Sequence, residues 1–222
     1  MTGMRQWDGV RHVVWDWNGT LFDDHAAVVA AINDALGVLR LRPIDSDTYR
    51  SHYTRPVQRF YEVVAGRPIE PAEWRALDEA YHGSYGAWVE RLKLAPDAEA
   101  ALAAAEAAGL TQSLLSMWRH QDLVPLVERL GIGRFFVRVD GLRVPGGEAK
   151  TGHLVEHLAA LEVAAPAALL VGDSLDDLAA ARAVGARCVL YDGGSHHRDA
   201  LEATGVPVVD TLTAALAAAR RG

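Results

Sequence analysis

The sequence predicts an α/β protein: a doubly wound parallel sheet interrupted by an all-helical insert. Three observations carry that expectation. From Pro96 onward, short apolar runs alternate with longer amphipathic stretches, the pattern of strands covered by helices on both faces. A further apolar strand, GVRHVVWDW, stands near the start of the chain, well separated from the others. Between them, from about Pro43 to Leu94, the texture changes. Pro43, Pro56, Pro68 and Pro71, five of the six tyrosines, and Trp74 and Trp88 fall there in helical periods with no clear β run.

Taken in order, GVRHVVWDW is the first buried strand. DDHAAVVAAINDALGVL follows as an amphipathic helix whose opening acids suit a helix N-terminus. After the insert come helix DAEAALAAAEAAG, strand LTQSLLS, helix QDLVPLVERLG, strand RFFVRVD and helix GHLVEHLAALE. Strand AALLVGD, helix LDDLAAARAVG, strand ARCVLYD and helix TLTAALAAAR complete the chain. Gly109, Gly131 and Gly185 stand where helices should stop. The first strand belongs to the same sheet as the later ones, so the core is discontinuous. Residues 1–23 and 96–222 are expected to form it, with 24–95 as a helical cap.

At 222 residues, half of them hydrophobic, the chain can bury one sizeable core with a smaller unit attached. Its formal net charge of −7 counts against a nucleic-acid partner, which calls for clustered Lys and Arg. Cys188 is the single cysteine, placed in a strand, so no internal disulfide forms and a reducing compartment fits. MTGMRQWDG carries no apolar leader, and charges break the Ala-rich stretches, so no membrane span is expected. A cytoplasmic monomer or homodimer is the expectation.

In an open parallel sheet, ligands sit beyond the carboxyl ends of the strands. The polar residues expected there are Asp16, Ser116, Lys150 in the loop GGEAK, and Asp173 with Asp177 in LLVGDSLDD. Three acids, a hydroxyl and an amine suit a site that holds a divalent cation and a phosphoryl group. GGEAKT is not a phosphate-binding P-loop, because Ala149 stands where a glycine should precede the lysine and no strand leads into it.

With the motifs DWNGTLFDD, LLSMW, the lysine of GEAKTG, and VGDSLDDLAAARAVGA in that order, the chain resembles the haloacid dehalogenase superfamily. It is most similar to the capped subgroup that includes phosphoglycolate phosphatase-like enzymes. A receiver-type phosphoacceptor domain is also doubly wound, but its acidic cluster precedes the hydroxyl. The resemblance implies a Mg²⁺-dependent hydrolase of a small phosphorylated metabolite, working through an aspartyl-phosphate. Asp16 would be the nucleophile. Mg²⁺ would be held by Asp16, the backbone carbonyl of Asn18, Asp173 and Asp177. Ser116 and the backbone N–H of Met117 would bind phosphoryl oxygens, and Lys150 would neutralise developing charge and orient Asp16. Lys93 is the only other lysine, so a lysine at 150 stands out.

Asn18 departs from the family pattern, in which that position usually carries a second Asp. An amide cannot titrate, so the general acid–base step there, worth about 10²–10⁴-fold, must come from elsewhere or be unnecessary. Three alternatives follow: phosphonate or haloacid-type chemistry, a weakly active phosphate-ligand binder, and deamidation of the Asn18-Gly19 pair. Phosphonate chemistry calls for an amine in the cap, where Lys93 is the only candidate. A histidine of the pair His196 and His197 could replace the acid.

Within the insert, HYTRPVQRF is the most polar surface, and Arg55 or Arg59 is expected to meet a distal anionic group of the substrate. Asp176 is expected only to favour the dipole of its helix. His153 and His157 lie four apart on a helix but lack a third metal ligand of matching spacing, and surface placement is expected for both. Trp17 and Trp118 flank the proposed site, with packing as their ordinary use.

Overall fold

A computed structural model describes residues 9–143 and 149–219. Its sheet has six strands: β1 (His12–Trp15), β2 (Thr111–Arg119), β3 (Arg138–Leu142), β4 (Ala168–Gly172), β5 (Arg187–Tyr191) and β6 (Val208–Val209). The order is β3-β2-β1-β4-β5-β6, and every pairing is parallel. Successive strands run outward from β1 in both directions. The crevice beyond the carboxyl end of β1 is therefore the switch point of the sheet.

The helices are α1 (His25–Val38), α2 (Ser46–His52), α3 (Val57–Ala65), α4 (Pro71–Val89), α5 (Ala98–Ala107) and α6 (His120–Arg129). Then follow α7 (Lys150–Ala160), α8 (Leu175–Val184), α9 (Arg198–Glu202) and α10 (Leu212–Ala219). β1 shows why the three residues after His12 are apolar without interruption. Val13 and Trp15 join a cluster with Leu102 of α5, Leu123 of α6 and Leu216 of α10. Val14 faces the other way, toward Leu154 of α7, Leu178 of α8 and Leu201 of α9. Alternate residues of one strand thus meet helices on opposite faces. Each fully buried Val or Leu contributes about 1.5–3 kcal/mol, so the central strands anchor the edge that carries the site. α8 starts on a reciprocal cap between Ser174 and Asp177 and stops at Gly185, whose φ of 80° lies in the left-handed region.

Helices α2, α3 and α4 pack with the second half of α1 around Ile32, Leu36, Tyr49, Phe60 and Leu77, a cluster of their own. The two chain segments leading in and out run side by side: Asp23 N–H donates to Lys93 O (3.0 Å) and Ala95 N–H to Leu21 O (2.9 Å).

Several elements differ from the expectation. Lys150 is the first residue of α7, not part of a loop. Of the stretch before it, residues 144–148 lie outside the described part. β2 continues past Ser116 to Arg119, with a shift of register against β3 between Leu115 and Arg119. β6 and α9 were not anticipated, because two residues of strand and five of helix are too short to display a period.

His157 is buried, not on the surface, because it shares the inward stripe of α7 with Leu154 and Leu158. It belongs to a polar chain across the sheet. Asp140 Oδ2 lies 2.7 Å from His157 Nδ1, and Ser113 Oγ lies 2.7 Å from both His157 Nε2 and His12 Nε2. Thr111 Oγ1 lies 2.7 Å from His12 Nδ1. One direction of donation satisfies this chain with both imidazoles neutral: His157 Nδ1–H to Asp140, Ser113 O–H to His157, His12 Nε2–H to Ser113, Thr111 O–H to His12.

Burial, reinforced by His157, lowers the His12 pKa to about 4. Unfolded, the imidazole titrates near 6.5, so between about pH 6.5 and 4 the unfolded chain binds the extra proton. The stability that neutral His12 supports is complete above that window and lost as pH falls through it. In urea unfolding, the wild type is expected to lose about 1.4 kcal/mol per pH unit relative to His12→Asn across the window. Parallel pH profiles for the two proteins would remove His12 from this account.

Candidate active site

β1 delivers Asp16 to the sheet edge, where its N–H donates to Val171 O at the end of β4 (2.9 Å). The turn that follows is closed by Trp17 O, which accepts from Thr20 N–H (3.2 Å) and Phe22 N–H (2.9 Å). Trp17 is buried and stacks on Phe22 with ring centroids 4.8 Å apart, so its role is packing beneath the turn. Gly19 has φ of 71°, and a Cβ there would come within 2.7 Å of Asp173 Oδ2. The turn therefore needs glycine both for its backbone and for the close approach of Asp173.

Lys150, from the start of α7, donates from Nζ to Asp16 Oδ1 and to Asp177 Oδ1, the latter at 2.6 Å. Asp177 Oδ2 is held by Ser174 Oγ (2.6 Å) and Ser174 N–H (3.1 Å). Asp173 Oδ2 accepts from Ser195 N–H at 2.6 Å and Oδ1 from Thr20 at 3.3 Å. Asp16, Asp173 and Asp177 each offer a carboxylate oxygen within 4.8 Å of the others, and all three are buried.

Three carboxylates against one ammonium leave a formal charge of −2 in a buried pocket. An all-oxygen donor set with that charge fits a hard divalent cation. The titration behaviour agrees. Burial pushes Asp16 well above the usual carboxylate range; Lys150 opposes this, while Asp177 and Asp173 add to it. Burial, with Asp177 beside it, raises Asp173 to about 6. In Asp177 burial acts the same way, but the charge and hydrogen bonds of Lys150 and Ser174 outweigh it and hold the group low. Lys150 is raised, because the two carboxylates more than offset its burial. A cation at the three acids would relieve the repulsion that these shifts record.

The site opens into a cavity of about 960 Å³ lined by Asp16, Asn18, Met117, Lys150, Asp173 and Asp177 from the core side. Arg55 lines it from the insert and stands 3.7 Å from Asp176 through Nε. Asp176 also accepts the Lys150 N–H (3.1 Å), so it ties Arg55 to the lysine instead of serving only the helix dipole. Ser116 lies just behind the wall, 1% exposed, accepting Trp118 N–H at 3.0 Å.

Residues 10–185 match the model of the haloacid dehalogenase-like hydrolases. The chain belongs to that family. A haloacid dehalogenase-like family protein from Streptococcus pneumoniae superimposes with a TM-score of 0.81 over 94% of this chain and 98% of its own, at 18% identity. The phosphoglycolate phosphatase of Pseudomonas fluorescens is 27% identical over 209 residues, 91% of this chain and 77% of that one. The ribulose-1,5-bisphosphate 5-phosphatase of Halopiger xanaduensis is 31% identical over 147 residues, 65% of this chain and 59% of that one. No helix among the described residues is long and apolar enough to cross a membrane.

For a haloacid dehalogenase-like hydrolase the surroundings of Asn18 are distinctive. Its Nδ2 donates to Asp24 Oδ2 (2.6 Å) and to Tyr85 OH (2.9 Å), and its Oδ1 accepts from Ser116 Oγ at 3.4 Å. Tyr85 OH and Gly19 N–H also donate to Asp24, at 2.6 and 2.8 Å. Burial raises the Asp24 pKa against these donors. From the sequence, Asp24 is only an opening acid of the first helix at the start of the insert, and Tyr85 has no role. The signal lay in the second of two adjacent acids after the turn, and in the α4 residues Trp74, Asp78, Tyr81, His82 and Tyr85, which recur at helical spacing and all line the cavity.

Other expected participants stand elsewhere. Arg59 and Lys93 are exposed and do not line the cavity. His197 faces outward, 3.2 Å from Asp47 Oδ1. His196 is buried edge-on against Tyr53, and neither histidine lines the cavity.

Proposed function

We propose that Asp16 is the nucleophile of a phosphomonoester hydrolase, that Mg²⁺ is its divalent ion, and that residues 24–95 form the cap over its site. The observation that supports this best is the meeting of Asp16, Lys150, Asp173 and Asp177 at one strand end, buried and joined by hydrogen bonds. A carboxylate oxygen of Asp16 attacks phosphorus, the ester oxygen leaves with its electron pair, and water then cleaves the aspartyl-phosphate. Lys150 holds the Asp16 carboxylate in one orientation and meets charge that develops on the phosphoryl oxygens. Met117, which lines the cavity, offers its N–H to those oxygens, and Ser116 would join it only by turning its hydroxyl from Asn18 Oδ1.

Asp16, Asp173, Asp177 and the backbone carbonyl of Asn18 would hold the ion. Its contribution when bound is to neutralise the repulsion between a carboxylate nucleophile and a phosphate dianion. The cap excludes water while the intermediate exists. Cys188, buried in β5 with its thiol pushed up by burial, is protected from reaction and suits a reducing cytoplasm. The exposed position of Lys93 gives no support to phosphonate chemistry.

The test is phosphate release from phosphomonoesters with Mg²⁺ and with a chelator, where release that ignores the chelator would count against the metal site. Arg55 carries a second expectation. Held beside Asp176 in the cavity wall, it meets an anionic group at the far end of the substrate. Arg55→Ala is expected to raise KM about 10-fold for an ester with a distal carboxylate and little for the same ester without one. Arg59→Ala should change neither. Equal KM values for wild type and both variants would remove the arginines from substrate recognition.

A further inference from the structure

We propose that the substrate is an aryl phosphate, a monoester whose leaving oxygen is phenolic and whose ring lies between the insert and the core. This deepens the phosphatase reading and rests on it. Two independent observations converge.

The first is the wall of the cavity. Tyr53 follows α2, Trp74, Tyr81 and Tyr85 stand along one stripe of α4, and Trp118 faces them from the end of β2. Tyr53, Trp74, Tyr81 and Trp118 are half-buried: they pack against the apolar clusters behind them and also line the cavity. Tyr81 and Tyr85 stack at 5.7 Å, and Trp118 meets Tyr85 edge-on at 5.9 Å, so these three rings form one continuous surface. It also begins at the reacting centre. Tyr85 OH is 2.9 Å from Asn18 Nδ2, and Trp118 N–H donates to Ser116 Oγ at 3.0 Å. A cavity of about 960 Å³ has room for a drug-sized ligand, far more than a two-carbon ester fills. Aromatic surfaces of this kind take a ring by offset or edge contacts.

The second is Asn18. Its amide is bound on both sides, to Asp24 and Tyr85 through Nδ2 and to Ser116 through Oδ1, and it has no proton to give a departing oxygen. An alkoxide leaving without a proton is costly. A phenolic oxygen, with a pKa of about 10, leaves as the anion several orders of magnitude more readily than an alkoxide near the pKa of water, about 15.7.

The steps balance without a further reactant. Asp16 forms the bond to phosphorus as the bond to the aryl oxygen breaks. The phenolate takes its proton from water on release. A second water then attacks phosphorus, giving inorganic phosphate and free Asp16. A ring explains the wall, and a phenolic leaving group makes an acid at position 18 unnecessary.

Four esters separate the two parts: phenyl phosphate (ring, acidic leaving oxygen), benzyl phosphate (ring, alkyl oxygen), acetyl phosphate (no ring, acidic oxygen) and phosphoglycolate (neither). Measured in Mg²⁺ with wild type and Asp16→Asn, kcat/KM for phenyl phosphate is expected to exceed that for phosphoglycolate by about 10²-fold or more. Benzyl phosphate should share the low KM of phenyl phosphate but not its kcat, and acetyl phosphate should show high kcat with high KM. Tyr81→Ala and Trp118→Leu should each raise KM several-fold for the two ring esters only. If phosphoglycolate is turned over as well as phenyl phosphate, and both activities depend on Asp16, the phosphatase reading stands and the aryl assignment falls. Equal KM for phenyl and acetyl phosphate likewise overturns it. If no ester is cleaved in an Asp16-dependent way, both fall together.

Discussion

Asp16→Asn is expected to abolish phosphate release, lowering kcat by about 10⁴-fold or more, because the amide cannot form the covalent intermediate. The same change should not weaken the fold in metal-free buffer. Ionised Asp16 is held in a buried cluster of formal charge −2, which pushes its pKa up, so its charge costs stability when no cation is present. The neutral amide has the same shape and removes that cost, while Lys150 keeps Asp177 as its partner. Metal-free melting temperature should be unchanged or higher, and the rise on adding Mg²⁺ smaller than in the wild type. A variant that loses activity only because it unfolds would show the reverse.

Lys150→Met carries the largest expected effect on stability. The ammonium is 1% exposed and bridges Asp16 and Asp177, so its removal leaves two buried carboxylates facing each other with no counter-charge. Breaking a buried pair in this way costs about 3–5 kcal/mol, to be read from urea unfolding without metal. Mg²⁺ at saturating concentration should return part of the loss, since it supplies charge at the same acids. Activity should not return with it, because a cation at the acids does not orient Asp16 as Nζ does. Lys150→Arg is expected to fail as well, because a planar guanidinium does not reproduce the compact ammonium that reaches both Asp16 and Asp177. Full metal-free stability in Lys150→Met would show that the lysine is not the counter-charge of the cluster.

Much of this was legible in the sequence because it rests on local rules. A strand buried on both faces carries an unbroken apolar run, and residues 13–15 of β1, 168–171 of β4 and 188–190 of β5 announce themselves that way, while β2 shows only Leu114 and Leu115 between polar residues. The acids and the lysine could be collected because a parallel sheet brings strand ends together whatever the separation along the chain. What escaped depends on tertiary approach. Asp24 and Tyr85 are 61 residues apart, and only the packing of α4 against α1 brings the hydroxyl onto the carboxylate. His157 looked like a surface histidine because burial of an imidazole needs partners. Those partners, Asp140 and Ser113, come from two strands that the helix sequence does not reveal. Lys150 was placed in a loop because its glycine-rich approach conceals that the helix starts at the lysine itself.

The absence of a titratable side chain at Asn18 looked from sequence like a deficit to be repaired by a histidine. Neither His196 nor His197 lines the cavity, and what stands at the turn is a bound amide beside an aromatic wall. The chemistry is then adapted to its leaving group, and activity on aryl esters needs no substitute acid.

The most direct measurement is acid quenching during turnover of phenyl phosphate in Mg²⁺, followed by peptide mass spectrometry. A phosphoryl mass increment is expected on the peptide carrying Asp16, absent from Asp16→Asn. Steady turnover with the increment on another residue, or persisting in Asp16→Asn, would contradict that expectation.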